Sequence, residues 1–342
     1  MPSLLGRTAQ TARFLAADPV LTAKGGQSPH EVIFRMGKSA LRYFPPAGDA
    51  AAQRPVVISM PLINTWTIFD LMPGRSVIAK LNAAGFPVYL LDWGRPGDED
   101  AERPMSYYID GVLGRVFDRA RRHASKHHDT DQLDAIGYCV GGTFLAIHLA
   151  RHPEQAVRAA FVATPIDFHQ SERLARWANP DSFPLDTLID SVGNYPRDLM
   201  KTSFQWLKPS GMTAKWVGLW ERIDVEGFPE LWAALEQWNG DGVDFPGETY
   251  REYVQRCYLD NALMTGGWVM ATAPVDLSKT TIPALVIGAS RDHIAPPASC
   301  GGLQQVWGGD CDVKTIRGGH VGICVGNTLP ATLIEWFDAR EA

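Results

Sequence analysis

Five short runs of the chain are apolar almost without interruption: residues 55–63 (PVVISMPLI), 87–93 (PVYLLDW), 133–139 (LDAIGYC), 159–166 (AAFVATPI) and 283–290 (PALVIGAS). Most carry β-branched residues, and Gly, Pro or Asp bounds them. A strand buried on both faces needs continuous rather than alternating hydrophobicity, so these runs predict parallel strands. Between them, apolar residues return at helical spacing. Residues 74–85 (GRSVIAKLNAAG) end on Gly85, which suits the position just past a helix. Residues 105–124 (MSYYIDGVLGRVFDRARRHA) keep that spacing, and residues 141–153 (GGTFLAIHLARHP) follow the third run directly. Strand–helix alternation predicts an α/β fold with a doubly wound, mostly parallel sheet.

The rhythm breaks after Phe168. As far as Trp268 the chain is rich in tryptophan (Trp177, Trp206, Trp216, Trp220, Trp232 and Trp238), is broken by Pro and Gly, and shows no strand pattern. It resumes at residues 276–290 (DLSKTTIPALVIGAS). An insertion between late strands predicts a helical cap over an active site, with most of its tryptophans packing the cap's own core. The expected division is an N-terminal segment (1–45), a core (46–168 and 270–342) and a Trp-rich cap (169–269). Residues 1–20 suggest a short amphipathic helix with Leu4, Leu5, Ala12 and Leu15 on one side.

Composition narrows the function classes. With 342 residues, 45% of them hydrophobic, the chain can bury a large core. A net charge of −6 argues against a nucleic-acid surface. The one basic run, residues 119–128 (RARRHASKHH), reads as the solvated end of a helix. The cysteines are odd in number and lack a CxxC pair, so neither a metal site nor a disulfide framework is expected, and a reducing cytoplasm fits. No segment approaches the roughly 20 apolar residues of a membrane span.

The third run ends in GYCVGG (residues 137–142). Its G-x-C-x-G outline matches the nucleophile elbow of α/β-hydrolases, with Cys139 where serine is usual. A strand precedes it and a helix follows, which is the context the motif needs. The helix N-terminus favours a thiolate there, whereas Cys257, Cys311 and Cys324 read as inert. In this fold the acid and the histidine follow the nucleophile in the chain. Residues 288–297 (GASRDHIAPP) place Asp292 just past a strand, and residues 315–326 (TIRGGHVGICVG) place His320 behind two glycines after the next. His293 is the rival base, but it adjoins Asp292, and neighbouring side chains in an extended loop diverge. His123, His127 and His128 read as solvated helix residues, and His148 and His152 lie on the helix after the elbow. The backbone N–H of Val140, with that of Ile63 or Asn64, would form the oxyanion hole.

With these residues in place, the chain resembles the polyhydroxyalkanoate synthases, and most closely the catalytic subunit of their short, two-subunit kind. The resemblance runs from about residue 30 to 336. It rests on residues 70–100 (DLMPGRSVIAKLNAAGFPVYLLDWGRPGDED), 137–143 (GYCVGGT), 238–263 (WNGDGVDFPGETYREYVQRCYLDNAL), 274–299 (PVDLSKTTIPALVIGASRDHIAPPAS) and 318–326 (GGHVGICVG). It implies an α/β-hydrolase fold and a Cys139–Asp292–His320 triad that polymerises 3-hydroxyacyl-coenzyme A. Coenzyme A would then be a product, and no cofactor is needed. It further implies a smaller second subunit, a homo-oligomer on activation, and a cytoplasmic location at polyester granules. The same triad would also serve a polyester depolymerase or an acyl-CoA thioesterase, and a granule-binding protein could keep the fold without turnover.

Overall fold

The computed structural model describes residues 4–47, 53–179, 181 and 183–339. Parts of the expected divisions (1–3, 48–52, 180, 182 and 340–342) lie outside the described residues. One sheet holds β1 (Glu31–Met36), β2 (Ser39–Phe44), β3 (Val56–Ser59), β4 (Val88–Asp92), β5 (Asp134–Tyr138), β6 (Arg158–Val162), β7 (Ala284–Ala289) and β8 (Cys311–Ile316). Their order is β1-β2-β4-β3-β5-β6-β7-β8. From β4 to β8 every pairing is parallel, while β2 runs antiparallel to both its neighbours.

Each apolar run forms its strand, and β3, β5, β6 and β7 are buried at every residue. Run 55–63 ends its strand at Ser59 because Pro61 has no N–H to give a ladder. The β1–β2 hairpin is a departure from expectation, since it draws part of the 1–45 segment into the sheet. The edge strand β1 is largely exposed, so its sequence EVIFRM mixes charge with apolar residues and hides the strand pattern. Its two-residue turn places Gly37 at φ +57, as a tight hairpin requires.

The helices used below are α1 (Leu4–Ala16), α2 (Val77–Ala83), α3 (Gly114–His127), α4 (Val140–Arg151), α5 (Glu172–Trp177), α6 (Leu185–Val192), α7 (Arg197–Leu207), α8 (Ser210–Glu221), α9 (Phe228–Gly240), α10 (Gly247–Tyr253) and α11 (Thr328–Asp338). A π-helical turn, Tyr107–Leu113, leads into α3. Helix α4 is buried from Val140 to Ala150, which explains why it is apolar all round. Helices α5 to α10 lie between β6 and β7, and among the described residues no strand forms after Val162 and before Val269.

Helix α1 leaves Leu4, Leu5, Ala12 and Leu15 exposed on one side and docks through Arg7, Thr11 and Phe14 on the other. Phe14 reaches a small cluster of Leu219, Trp232 and Ala233. In the cap, Trp232 and Trp238 are buried, but Trp177, Trp206 and Trp216 are 40%, 63% and 48% exposed. Short helices in a thin layer each keep an outward face, so the cap's core cannot take every tryptophan. The basic run is also less solvated than its composition suggests. His123 accepts a hydrogen bond from, or donates one to, the Tyr89 hydroxyl at 2.8 Å, and His128 pairs likewise with Tyr43 at 2.9 Å.

At the N-terminal ends of two central strands, remote from the elbow, Arg158 and Asp134 are register partners on β6 and β5. Arg158 donates to Asp134 through Nε at 3.0 Å and Nη2 at 2.5 Å, and to the Phe337 carbonyl on α11 at 2.6 Å. Both side chains are almost fully buried. Burial pushes the Asp134 carboxyl up against the pull of Arg158 and Arg54. Removing one partner of such a pair strands the other charge. Arg158→Met should therefore cost about 3–5 kcal/mol of stability, read from the urea midpoint. An unchanged midpoint would contradict this role.

Candidate active site

Cys139 follows β5 with φ 52 and ψ −131, a conformation that L residues rarely adopt. Its N–H donates to the Val162 carbonyl at 3.0 Å, and its own carbonyl accepts from Gly142 at 2.9 Å and Thr143 at 3.2 Å. The motif's glycines serve close approach. A Cβ at Gly137 would lie 2.4 Å from the Gly142 Cα, one at Gly141 2.2 Å from the Met60 carbonyl oxygen, and one at Gly142 1.9 Å from Thr164 Oγ1. Helix α4 can thus start directly on the strand end, with its positive N-terminus at the sulfur.

Asp292 lies in the turn after β7 with its side chain fully buried. Its Oδ1 accepts from the N–H of Ile294 at 2.8 Å and of Ala295 at 3.0 Å, while Oδ2 lies 2.6 Å from His320 Nδ1. Backbone bonds from Arg291 to Gly318 (2.8 Å) and Ser290 to Ile316 (2.9 Å) hold the two loops together. With Nδ1 engaged by Asp292, Nε2 is the imidazole nitrogen left for Cys139, which lines the same cavity as His320. Burial alone would lower the imidazole pKa. Negative charge at Cys139 and Asp292 and their hydrogen bonds outweigh it, and the value rises to about 10. The structure therefore brings Cys139, His320 and Asp292 together. His293 is exposed and has no hydrogen-bond partner among the described residues.

Tyr138 joins this group without any signal in the sequence. Its hydroxyl donates to the His320 carbonyl at 3.3 Å, and its ring lies 5.4 Å from the imidazole. The other thiols stay protonated near neutrality. Burial pushes Cys324 up to about 12 and Cys311 up to about 11, and it raises Cys257 and Cys300 further.

A second polar cluster, Asp110, His148 and His152, gathers three ligating atoms within 4.8 Å of one another. Arg151 Nε lies 3.1 Å from Asp110 there, so a guanidinium already neutralises the carboxylate and would repel a metal ion.

Two cavities meet at Cys139. One, of about 210 Å³, is partly polar and lined by Asn64, Arg197, Lys201, Asn239 and His320. The other, of about 360 Å³, is mostly apolar, with Met200, Phe204, Phe245, Tyr253 and Tyr258 in its wall. Tyrosine and phenylalanine therefore dominate this wall; among the described residues Trp177 is its one tryptophan, and Trp238 lines the other cavity. Ile63 and Val140 both border the apolar cavity beside Cys139. The Ile63 carbonyl accepts from Val243 at 3.3 Å, while neither the Ile63 nor the Val140 N–H meets a backbone acceptor among the described residues.

Comparison with known proteins agrees with this architecture. Residues 69–326 match the alpha/beta hydrolase fold family. Solved structures of similar fold include the naproxen esterase of Bacillus subtilis (TM-score 0.50, 15% identity, covering 98% of this chain and 100% of that one). Another is the monoacylglycerol lipase of Paleococcus ferrophilus (TM-score 0.52, 13% identity, covering 89% and 99%). At such identities they speak for the fold alone. Relatives in sequence are more specific. The poly(3-hydroxyalkanoate) polymerase subunit PhaC of Allochromatium vinosum is 32% identical over 324 residues, 92% of this chain and 90% of that protein. The subunit of the same name from Thiocystis violacea is 31% identical over 336 residues, 96% and 92% of the two chains. That of Haloferax mediterranei is 29% identical over 334 residues, 95% of this chain and 67% of that protein. On this extent of identity, with the fold already evident from the sheet, the chain belongs to the poly(3-hydroxyalkanoate) polymerase PhaC family of alpha/beta-hydrolase-fold enzymes.

Proposed function

We propose that this chain is the catalytic subunit of a polyhydroxyalkanoate synthase, extending a polyester from (R)-3-hydroxyacyl-coenzyme A through an acyl group carried on Cys139. The observation that carries this reading is the hydrogen bond of His320 to buried Asp292, in a cavity that His320 and Cys139 line together and that meets a second cavity at Cys139. His320 Nε2 takes the Cys139 proton, and the sulfur attacks the thioester carbonyl. The oxyanion that forms is met by the N–H groups of Val140 and Ile63. Collapse breaks the bond to coenzyme A, which leaves with the proton from His320. The acyl group is still a thioester, so little free energy is lost. His320 then takes the proton of another unit's 3-hydroxyl as it attacks. The new C–O bond forms, the bond to Cys139 breaks, and the proton returns to the sulfur.

The cavities divide the substrate by polarity. The apolar one suits the acyl group and shields it from water. The polar one, with Arg197 and Lys201, suits the anionic coenzyme A. The cap is read as residues 169–269, whose helices supply both walls. A smaller second subunit, self-association on activation and a place at the granule surface belong to the same reading. Among the described residues no helix is long and apolar enough to cross a membrane. Purified chain, with and without a candidate second subunit, should release coenzyme A from 3-hydroxybutyryl-coenzyme A and form insoluble polymer. Free 3-hydroxybutyrate without polymer would mark a hydrolase instead.

Two sets of variants test the roles. Cys139→Ala should abolish coenzyme A release while keeping the urea midpoint. His320→Gln should lower release about 10²–10⁴-fold, the usual worth of a general base, with His293→Gln close to wild type. Greater damage from His293→Gln would refute the assigned base.

Asp292→Asn tests the orientation of the imidazole. The amide can still accept from Ile294 and Ala295, but its NH₂ would face His320 Nδ1 and favour the wrong tautomer. A thiol ionises far more readily than an alcohol. Acylation of Cys139 should therefore survive measurably, while elongation falls more steeply and short acyl-enzyme accumulates. Quenched-flow capture beside a polymer assay reads both, and equal losses would contradict the split.

A further inference from the structure

The apolar cavity beside Cys139 contains few polar groups. Tyr195 and Tyr250 stack on each other at 4.1 Å, and Tyr195 is buried. Tyr253 is buried, with its ring edge-on to Phe168. The Ser203 hydroxyl donates to the Leu199 carbonyl at 3.0 Å. Trp177 stands 40% exposed, where water can reach its N–H. Tyr258 is the remaining phenol of the wall; it is only half-buried, and its hydroxyl makes no hydrogen bond among the described residues, so it is free for a ligand that enters the cavity.

Its setting is rigid. Tyr258 belongs to a π-helical turn, Val254–Leu259, in which the Asp260 N–H donates to the Gln255 carbonyl at 2.9 Å. Such turns insert an extra residue into a helix and re-aim a side chain. The edge-on rings of Phe168 at 4.8 Å and Tyr253 at 5.8 Å fix the phenol in place. Burial, with negative charge at Cys139 nearby, pushes the Tyr258 pKa far above its ordinary value, so the O–H remains a donor. In a 3-hydroxyacyl group, the 3-oxygen lies only a few bonds from the thioester carbon.

We propose that Tyr258 is the specificity residue for the 3-oxygen of the acyl unit on Cys139. Its O–H hydrogen-bonds the 3-hydroxyl of a first unit and, once the chain has grown, the ester oxygen made from it. This rests on the reading of Cys139 as the carrier of a 3-hydroxyacyl group. A site built to bond a substrate hydroxyl discriminates strongly against the analogue that lacks it.

The test is Tyr258→Phe, which keeps the ring and removes only the oxygen. Single-turnover release of coenzyme A is measured from 3-hydroxybutyryl-coenzyme A and from butyryl-coenzyme A, together with the urea midpoint. Wild type should favour the hydroxyacyl donor. The variant should lose about 10- to 100-fold on that donor and keep its rate on butyryl-coenzyme A, so the two rates converge. Equal losses on both donors would make Tyr258 a packing residue and overturn the proposal, as would unchanged discrimination. Wild type that is silent toward 3-hydroxybutyryl-coenzyme A, or Cys139→Ala that still releases coenzyme A, would overturn the underlying reading, and this assignment with it.

Discussion

Everything at this site depends on how closely helix α4 approaches the sheet. Gly137 and Gly142 leave no room for a side chain on either, and Gly141 lies against the Met60 carbonyl. That contact lets the helix begin at Val140, one residue past the strand, and holds Cys139 between them at φ 52. It also brings the loop after β3, with Ile63, beside the Val140 N–H. The strain at one residue is offset by a backbone hydrogen-bonded on both sides of it and by a helix buried along almost its whole length.

Protons are sorted by environment. Four of the five thiols lie where burial holds them protonated. Cys139 alone meets a histidine whose other nitrogen is engaged by a buried carboxylate. Asp292 keeps its orientation through two backbone N–H groups, so the imidazole is aimed by the fold rather than by a mobile side chain. On the proposed reading a thiol at this position suits a thioester donor, because the acyl group would pass between sulfurs and stay activated for ester formation.

How much of this could be read from the sequence depended on how local each feature is. Strands β3 to β7 were legible because burial on both faces demands an unbroken apolar run. The β1–β2 hairpin was not, since an exposed edge strand tolerates charge at Glu31 and Arg35. Cys139, Asp292 and His320 were legible because the fold places each just past a strand, in a fixed order along the chain. Tyr138 and Tyr258 were not, because their partners lie far away in sequence and no spacing marks them. The tryptophans misled for a related reason: composition shows that a cap is apolar without showing which side of each helix faces in.

The central claim is that the acyl group is carried on the sulfur of Cys139. The most direct measurement is the mass of the Cys139-bearing peptide after brief reaction with 3-hydroxybutyryl-coenzyme A, acid quench and digestion. That peptide should gain one or more 3-hydroxybutyryl units, and neutral hydroxylamine should remove them, as it does thioesters. Turnover with an unmodified Cys139 peptide, or with the acyl group on another residue, would contradict it.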